Sequence, residues 1–199
     1  MITQPLNNQD YTLYLKKYLL DNYQLSEKDW DIIKEYAEPL NVHKNEYFVQ
    51  KGKVCRRMGF IAKGVMRYCM ERDGEDITCY FLSENNFAGD PDSFFSHKPS
   101  EKNAHALTDC VLISFSLDSI QKLSKTVPRF TEITALIDRK VMMDLMMQRD
   151  FLLHADAATK YQKFIEYYPH ILQRVPLGYI ASFLGIKQQS LSRLRKQIS

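Results

Sequence analysis

Short apolar runs separated by Gly, Asp and Asn occupy residues 42–115. Runs of this length that are rich in β-branched and aromatic residues predict strands, and Asp73-Gly74 between two of them is typical of a two-residue hairpin turn. Many short strands at close spacing favour an antiparallel, jelly-roll-like β-roll over a parallel sheet. The predicted strands are 46–50, 58–61, 65–70, 77–82 and 110–115.

Helical spacing of apolar residues flanks this region on both sides. Residues 11–38 predict two helices, the second beginning at Ser26, which with Asp29 resembles a capping box, and stopping at Pro39. Residues 127–153 predict one long helix whose apolar positions cover more than one face. Such a helix must bury two sides, so we expect one to pack on the β-roll and the other on a second copy of the chain. A central core helix in a monomer is the alternative.

Two short helices that meet at Gly185 are predicted near the end of the sequence. Pro176 suits the first turn of a helix, residues 180–184 are mostly apolar, and Gly185 can adopt the positive φ of a tight turn. Beyond the turn, the residues that can face inward are Ile186, Leu191 and Leu194. This pattern is that of a helix-turn-helix.

The outward side of the second helix carries groups that suit DNA. Gln and Arg can make bidentate hydrogen bonds to adenine and guanine edges, whereas Ser, Lys and Arg suit phosphate oxygens. A solvated basic helix would show the same pattern, so the motif alone does not decide. The candidate DNA-binding residues are Lys187, Gln188, Gln189, Ser190, Ser192, Arg193 and Lys196.

The distribution of charge favours the DNA interpretation. The net charge is +3, but residues 1–155 hold 20 Lys/Arg and 22 Asp/Glu, whereas residues 156–199 hold seven and two. No acidic side chain follows Glu166 in the sequence. An acid-free basic segment is the electrostatic footprint of a surface that neutralises phosphates.

The composition narrows the class of protein further. A hydrophobic content of 45% and a charged content of 26% are typical of a globular protein. No apolar run approaches the roughly 18 residues of a membrane span, and the N-terminus has no signal-peptide pattern, so we expect a cytoplasmic protein without membrane contact. His154-Ala-Asp156 interrupts the long apolar run, and Asp156 suits the N-cap of a new helix, so a domain boundary is predicted there. We therefore expect a β-roll domain at 1–126, a dimerisation helix at 127–155 and a helix-turn-helix domain at 156–199.

Side chains that could support catalysis or metal binding are not grouped in the sequence. The four cysteines Cys55, Cys69, Cys79 and Cys110 are widely spaced, and packed, reduced thiols are the expectation. The acidic residues around Asp73 surround a hairpin turn and are interpreted as its solvated tip. We expect no enzyme activity, no metal and no cofactor.

With its elements in this order, the chain resembles the Crp/Fnr family of bacterial transcription regulators. The matching segments are Tyr47-Phe-Val-Gln-Lys-Gly52, Phe60-Ile-Ala-Lys-Gly-Val-Met-Arg67, Asn86-Phe-Ala-Gly-Asp90, Ile180-Ala-Ser-Phe-Leu-Gly-Ile186 and Ser190-Leu-Ser-Arg193. The resemblance implies an α+β protein with a cyclic-nucleotide-binding-type β-roll, a long dimerisation helix and a C-terminal winged helix-turn-helix. It also implies a homodimer on a pseudo-palindromic site in double-stranded DNA, with RNA polymerase and a small-molecule effector as further candidate partners.

The resemblance assigns roles within the second helix. Gln188, Gln189, Ser192 and Arg193 would read base edges, with Lys187, Ser190 and Lys196 nearer phosphates. Any wing would lie upstream, around residues 173–176. A sensory module whose helix-turn-helix serves protein interaction is the alternative function.

The ligand pocket is where the sequence departs from the family. Members that bind cyclic AMP use a Gly-Glu pair and, some ten residues later, an Arg-Ser pair that holds the phosphate. Here Gly89 and Asp90 stand at the first pair, and Lys102 and Asn103 lie nearest to the second. A lysine cannot reproduce the guanidinium fork on a phosphate, so we do not expect cyclic AMP to bind. These four residues are the candidate pocket for an unidentified effector.

Fnr-like or haem-based sensing is not expected either. An iron–sulfur cluster would need grouped N-terminal cysteines, and the first cysteine is Cys55. The five histidines form no recognisable set of haem ligands.

Overall fold

A computed structural model describes the backbone of residues 8–198. The chain begins with helices Asn8–Tyr23 (α1) and Glu27–Ile33 (α2), followed by a 3₁₀ turn at Lys34–Tyr36. Ser26 caps α2, as predicted, by accepting a hydrogen bond from the Asp29 N–H at 3.0 Å. The buried faces of both helices pack on the outside of the β-roll, where Phe60 and Ile113 belong to the same core.

Two four-stranded antiparallel sheets form the β-roll. The strand order is β1-β8-β3-β6 in one sheet and β2-β7-β4-β5 in the other. Asp73 and Gly74 join β4 to β5 with φ angles of 55° and 80°, the positive values that a two-residue hairpin requires. The strands are Glu38–Val42 (β1), Tyr47–Val49 (β2), Arg57–Lys63 (β3), Met66–Arg72 (β4), Glu75–Leu82 (β5), Phe87–Ala88 (β6), Asn103–Ala106 (β7) and Cys110–Ser116 (β8).

The five predicted strands are present, but the prediction around Pro39 is wrong. This residue lies inside β1 and does not end a helix. Strand β1 is at the edge of its sheet and pairs only with β8, so the missing N–H of Pro39 disrupts no central ladder. Four elements of the roll were also not predicted, namely β6, β7 and the helices Pro91–Ser96 (α3) and Leu117–Thr126 (α4).

A single helix, Pro128–His154 (α5), follows the roll, as predicted. Phe130 and Ile133 anchor its first turns and Phe151 its last, and no residue between 134 and 150 is buried in the single chain. The exposed apolar side chains of this middle stretch are Leu136, Val141, Met142, Met143, Leu145, Met146 and Met147.

Three further helices complete the described chain: Ala157–Tyr167 (α6), Leu177–Leu184 (α7) and Gln188–Ile198 (α8). Asp156 caps α6 through the Thr159 N–H at 2.8 Å. Gly185 has φ 64° and ψ 33°, and the Ile186 N–H bonds to the Ala181 carbonyl at 3.1 Å. This left-handed residue makes the predicted sharp turn between α7 and α8.

The predicted wing around 173–176 is not formed. Between α6 and α7 the chain makes successive turns, in which the Arg174 N–H bonds to the Ile171 carbonyl at 2.8 Å. Ile171 and Val175 are buried in the apolar core of the C-terminal helices, and this holds the segment against the body in place of a β-hairpin. Within residues 156–198 the structure contains helices and turns but no strand.

The C-terminal helices and the roll share one apolar cluster. Phe81 of β5 lies edge-on to Phe164, Tyr168 and Phe183, with ring centroids 5.7–5.9 Å apart. Val65 and Leu107 of the roll belong to the same cluster. Among the helices that the structure describes, none combines the length and apolar character that crossing a membrane requires.

Candidate nucleic-acid interface and effector pocket

Helix α8 packs on the core of the C-terminal helices through its apolar side. Leu191 is completely buried, and Ile186 and Leu194 are partly buried against the same core, as the sequence predicts. Gly178 of α7 faces this helix closely, because a Cβ at that position would lie 3.1 Å from Oε1 of Gln188. The absence of a side chain at Gly178 therefore lets the carboxamide of Gln188 rest against α7.

The opposite side of α8 is open. Positions 188, 189, 192, 193 and 196 share one helical face, and an open concavity of about 830 Å³ is formed there. Within the described part of the chain, the side chains on this face form no hydrogen bond or ion pair with the rest of the protein. The residues that line the concavity are Leu177, Lys187, Gln188, Gln189, Ser192 and Arg193.

Five of the seven predicted DNA-binding residues thus meet in one concave surface. Ser190 and Lys196 are exposed on α8 outside it. We call the set of predicted residues from Lys187 to Lys196 the reading face. Donors and acceptors that are unengaged and exposed on a basic helix are what a base-reading surface needs.

Contacts between the helix-turn-helix and the β4–β5 hairpin were not predicted. The guanidinium of Arg67 lies over the ring of Tyr179, 3.8 Å from its centroid, and donates to Thr78 Oγ1 at 3.0 Å and to the Asp76 carboxylate. The backbone N–H of Thr78 donates to Ser182 Oγ at 2.9 Å. These contacts join one strand pair of the roll to helix α7.

A second contact lies at the end of β5. Arg174 donates two hydrogen bonds to Glu84, both at 2.8 Å, and the Gly64 N–H donates to the same carboxylate at 2.7 Å. Burial opposes ionisation of Glu84, but the bonds from Arg174 and Gly64 outweigh it and hold its pKa below the ordinary value. A bidentate pair of this kind fixes both position and orientation.

Of the four residues of the predicted effector pocket, the structure brings together two. Gly89 and Lys102 line one cavity of about 580 Å³ between the roll, α5 and residues 167–171. Asp90 and Asn103 do not line it. The side chain of Asn103 accepts a hydrogen bond from the Lys51 N–H at 2.8 Å, which turns it towards the loop after β2.

The polar groups at Gly89 and Asp90 are engaged within the fold. The Gly89 N–H donates to the hydroxyl of Tyr68 at 2.6 Å, and that hydroxyl donates to the Gly89 carbonyl at 2.7 Å. Asp90 is buried, accepts a hydrogen bond from the Ser100 hydroxyl at 2.6 Å, and caps α3 through the Ser93 N–H. Burial raises the pKa of Tyr68 well above its ordinary value, so the phenol keeps the proton that it donates.

The cysteines are free thiols, and burial raises the pKa of each of them. Raised pKa values keep the thiols protonated and weakly reactive. Among the residues described, no group of three or more His, Cys, Asp or Glu side chains could hold a metal ion.

A two-sheet antiparallel roll, a long helix and a C-terminal helical unit define an α+β architecture. Residues 39–127 match the family model of the cyclic nucleotide-binding domain. Comparison with curated proteins by sequence gives no match.

Solved structures share this fold over most of the chain. The c-di-GMP responsive global regulator CLP of Xanthomonas campestris has a TM-score of 0.64 at 15% identity, covering 87% of this chain and 91% of its own. A transcriptional regulator of the Crp/Fnr family from Eubacterium rectale has a TM-score of 0.67 at 17% identity, with coverages of 91% and 87%. FixK2 of Bradyrhizobium japonicum has a TM-score of 0.65 at 14% identity, with coverages of 81% and 84%. The predicted α+β fold is confirmed, and its neighbours include Crp/Fnr-family regulators.

Proposed function

We propose that this protein is a homodimeric, sequence-specific DNA-binding transcription regulator of the Crp/Fnr type, and not an enzyme. The observation that carries the proposal is the open reading face of α8, which is presented on a helix-turn-helix within an acid-free basic segment. Gln188, Gln189, Ser192 and Arg193 read base edges, and Lys187, Ser190 and Lys196 contact phosphates. The structural likeness to transcription regulators supports the same assignment.

The dimer is proposed from helix α5. Met142 and Met146 are 52% and 56% exposed in the single chain, and a row of such residues is a large apolar area to leave in water. A second copy of α5 would cover it and place two reading faces about one helical turn of DNA apart, about 34 Å, on a pseudo-palindromic site. We propose with it the three-part division into a β-roll domain at 1–126, a dimerisation helix at 127–155 and a helix-turn-helix domain at 156–199.

Sedimentation of the purified protein tests the dimer. We expect a dimer at micromolar concentration and a monomer after Met146→Glu, because a carboxylate in a helix–helix interface is costly to bury. Lys122→Glu on α4 is the matched control and should leave the dimer intact. A wild-type protein that sediments only as a monomer would contradict the proposal.

We propose further that cyclic AMP is not the effector. The Gly89 N–H and the Asp90 carboxylate are engaged by Tyr68 and Ser100, and Lys102 stands where an arginine would hold the cyclic phosphate. The cavity that Gly89 and Lys102 line leaves room for an unidentified effector of other chemistry.

Selection of genomic fragments by the purified protein, with and without cyclic nucleotides, tests the function. We expect enrichment of fragments that share a pseudo-palindromic sequence, with no change on addition of cyclic AMP. Binding to selected fragments no tighter than to random DNA would instead favour a helix-turn-helix that serves protein interaction.

A further inference from the structure

We infer that the β4–β5 hairpin and Glu84, which follows it, form a positioning arm that sets the orientation of the helix-turn-helix. DNA affinity then depends on contacts of this arm that are made far from the reading face. The inference rests on the proposed function, and it assigns Arg67 and Glu84 as positioning residues that act through α7 and Arg174.

Arg67 is a charged residue in the middle of a strand, and only 3% of it is exposed. Burying a guanidinium is costly unless its charge and its N–H groups are matched. Asp76 and Thr78 on β5 supply the hydrogen bonds, and the ring of Tyr179 on α7 supplies the cover. The guanidinium of Arg67 is therefore covered only when α7 is docked, while its Nε has no hydrogen-bond partner among the described residues.

The edge of the sheet is a second, independent place where α7 completes the β4–β5 hairpin. Strand β5 is the last strand of its sheet, so the backbone groups on its outer side have no neighbouring strand. Ser182 of α7 takes the place of that strand by accepting a hydrogen bond from the Thr78 N–H at 2.9 Å. Its hydroxyl also lies 3.4 Å from the Asp76 carbonyl. Helix α7 thus covers a strand edge that would otherwise be open.

The pair between Glu84 and Arg174 lies beyond the end of β5 and provides a second attachment point. The first attachment point holds α7, and the second holds the turn segment before α7. Two separated attachments prevent the helix-turn-helix from rotating about either one.

Docking leaves the reading face free. Lys187, Gln189 and Arg193 are exposed while Ile180, Phe183 and Leu184 on the other side of the unit are buried. The chain itself joins α5 to α6 only through Ala155 and Asp156. Contacts with the hairpin add to this connection and to the packing of Phe151 of α5 in the same core. Together they fix the orientation of the unit, and a preoriented unit loses less entropy when it binds.

Charge reversal at the second attachment point tests the inference in the full-length protein. Glu84→Arg places two cations together, and Arg174→Glu places two anions together. We expect each change to raise the Kd for a selected genomic fragment about fivefold to tenfold, which corresponds to roughly 1–1.4 kcal/mol, because the attachment of the helix-turn-helix is weakened. The double variant should recover most of the affinity.

The sign of the Glu84→Arg effect separates positioning from general electrostatics. This change makes the protein more basic, so an effect of charge alone would tighten DNA binding. Glu38→Arg makes the same change of charge at the Arg57 pair within the roll and is the matched control. It should leave the Kd unchanged or lower it. Ser182→Ala, which removes a single hydroxyl, is a milder second variant and should weaken binding in the same direction.

The outcomes distinguish failure of the proposed DNA-binding function from failure of the positioning inference. If the wild-type protein prefers no sequence over random DNA, the proposed function fails. If the wild-type protein is specific and the Glu84→Arg and Ser182→Ala variants bind as tightly as it does, the positioning inference fails. Tighter binding by both variants overturns it as well, because the hairpin would then restrain the helix-turn-helix from DNA.

Discussion

The reading face of α8 and the cavity beside Gly89 differ in how their polar groups are used. On α8, the side chains of Gln189 and Arg193 are exposed and make no hydrogen bond within the described chain. Beside the cavity, the Gly89 N–H and the Asp90 carboxylate are hydrogen-bonded to Tyr68 and Ser100. Groups that are unengaged can meet a ligand without breaking a bond, whereas engaged groups must first lose a partner. The exposed side chains of α8 therefore suit the proposed contact with DNA, whereas the polar groups of Gly89 and Asp90 are already used within the fold.

The largest expected effect concerns Arg193 on the open surface. Arg193→Ala should lower affinity for a selected fragment by about 1–3 kcal/mol and should affect random DNA much less, because a bidentate contact to a guanine is lost. Titration of both duplexes by fluorescence anisotropy measures this difference. Lys125→Ala on α4 is a control that should change neither affinity, and equal losses on both duplexes would count against base reading by Arg193.

Beside the cavity, Tyr68→Phe should lower the free energy of unfolding. The change leaves the N–H and the carbonyl of Gly89 without their buried partner, at a cost of about 1–3 kcal/mol. Urea unfolding measures it. Tyr80→Phe is the matched control, because the ring stacks on Tyr68 at 4.5 Å while its hydroxyl has no hydrogen-bond partner within the described residues. Equal stability of the two variants would show that the Tyr68 hydroxyl is not an integral part of this site.

A smaller change is expected for Lys196. Lys196→Ala should weaken binding to selected and random DNA alike and reduce the slope of log K against log salt by about 1, the loss of one phosphate contact. Measuring affinities over a series of salt concentrations gives this slope. A loss confined to the selected sequence would instead place Lys196 at a base.

The two regions should also differ in their response to pH, since the described residues of α8 include no histidine. In the roll, burial, and after it the charge of Arg67, lower the pKa of His105 below its ordinary value of 6.5. The folded state therefore binds a proton at His105 less readily than the unfolded state does. The free energy of unfolding is unaffected above pH 6.5 and falls as the pH drops below 6.5, by at most about 1.4 kcal/mol per pH unit. Unfolding in urea at about pH 7.5 and pH 5.5 should show the loss. His105→Gln should reduce it, while the exposed His43→Gln should not.

The smallest expected effect is that of cyclic AMP. At about 1 mM it should leave the melting temperature unchanged, because a ligand stabilises a fold only when its concentration approaches or exceeds its Kd. A clear rise would mean that Tyr68 and Ser100 release Gly89 and Asp90 when the nucleotide binds.

Much of the fold could be predicted because it depends on local patterns. The Asp73-Gly74 turn, the caps at Ser26 and Asp156 and the left-handed Gly185 each follow from the conformational preference of a few residues. Strand β1 was missed because a proline usually ends an element, and only the sheet order reveals that it is tolerated at an edge.

The positioning contacts and the state of the pocket depend on residues distant in sequence. Arg67 carried a signal, since a charged residue inside an apolar strand run requires a partner, but nothing local identifies Tyr179 as that partner. Likewise, Lys102 at the position of the phosphate-binding arginine led to the expectation that cyclic AMP does not bind, whereas the hydrogen bonds between Gly89 and Tyr68 are visible only in three dimensions.

The edge position of β5 has a consequence for the behaviour of fragments. A protein cut at Asp156 would expose the Thr78 N–H and its neighbours together with the apolar side chains of Val65, Phe81 and Leu107. An open strand edge beside an apolar patch is a template on which other chains can add as strands. The isolated roll should therefore self-associate into aggregates, and the helix-turn-helix protects the solubility of the domain it is attached to.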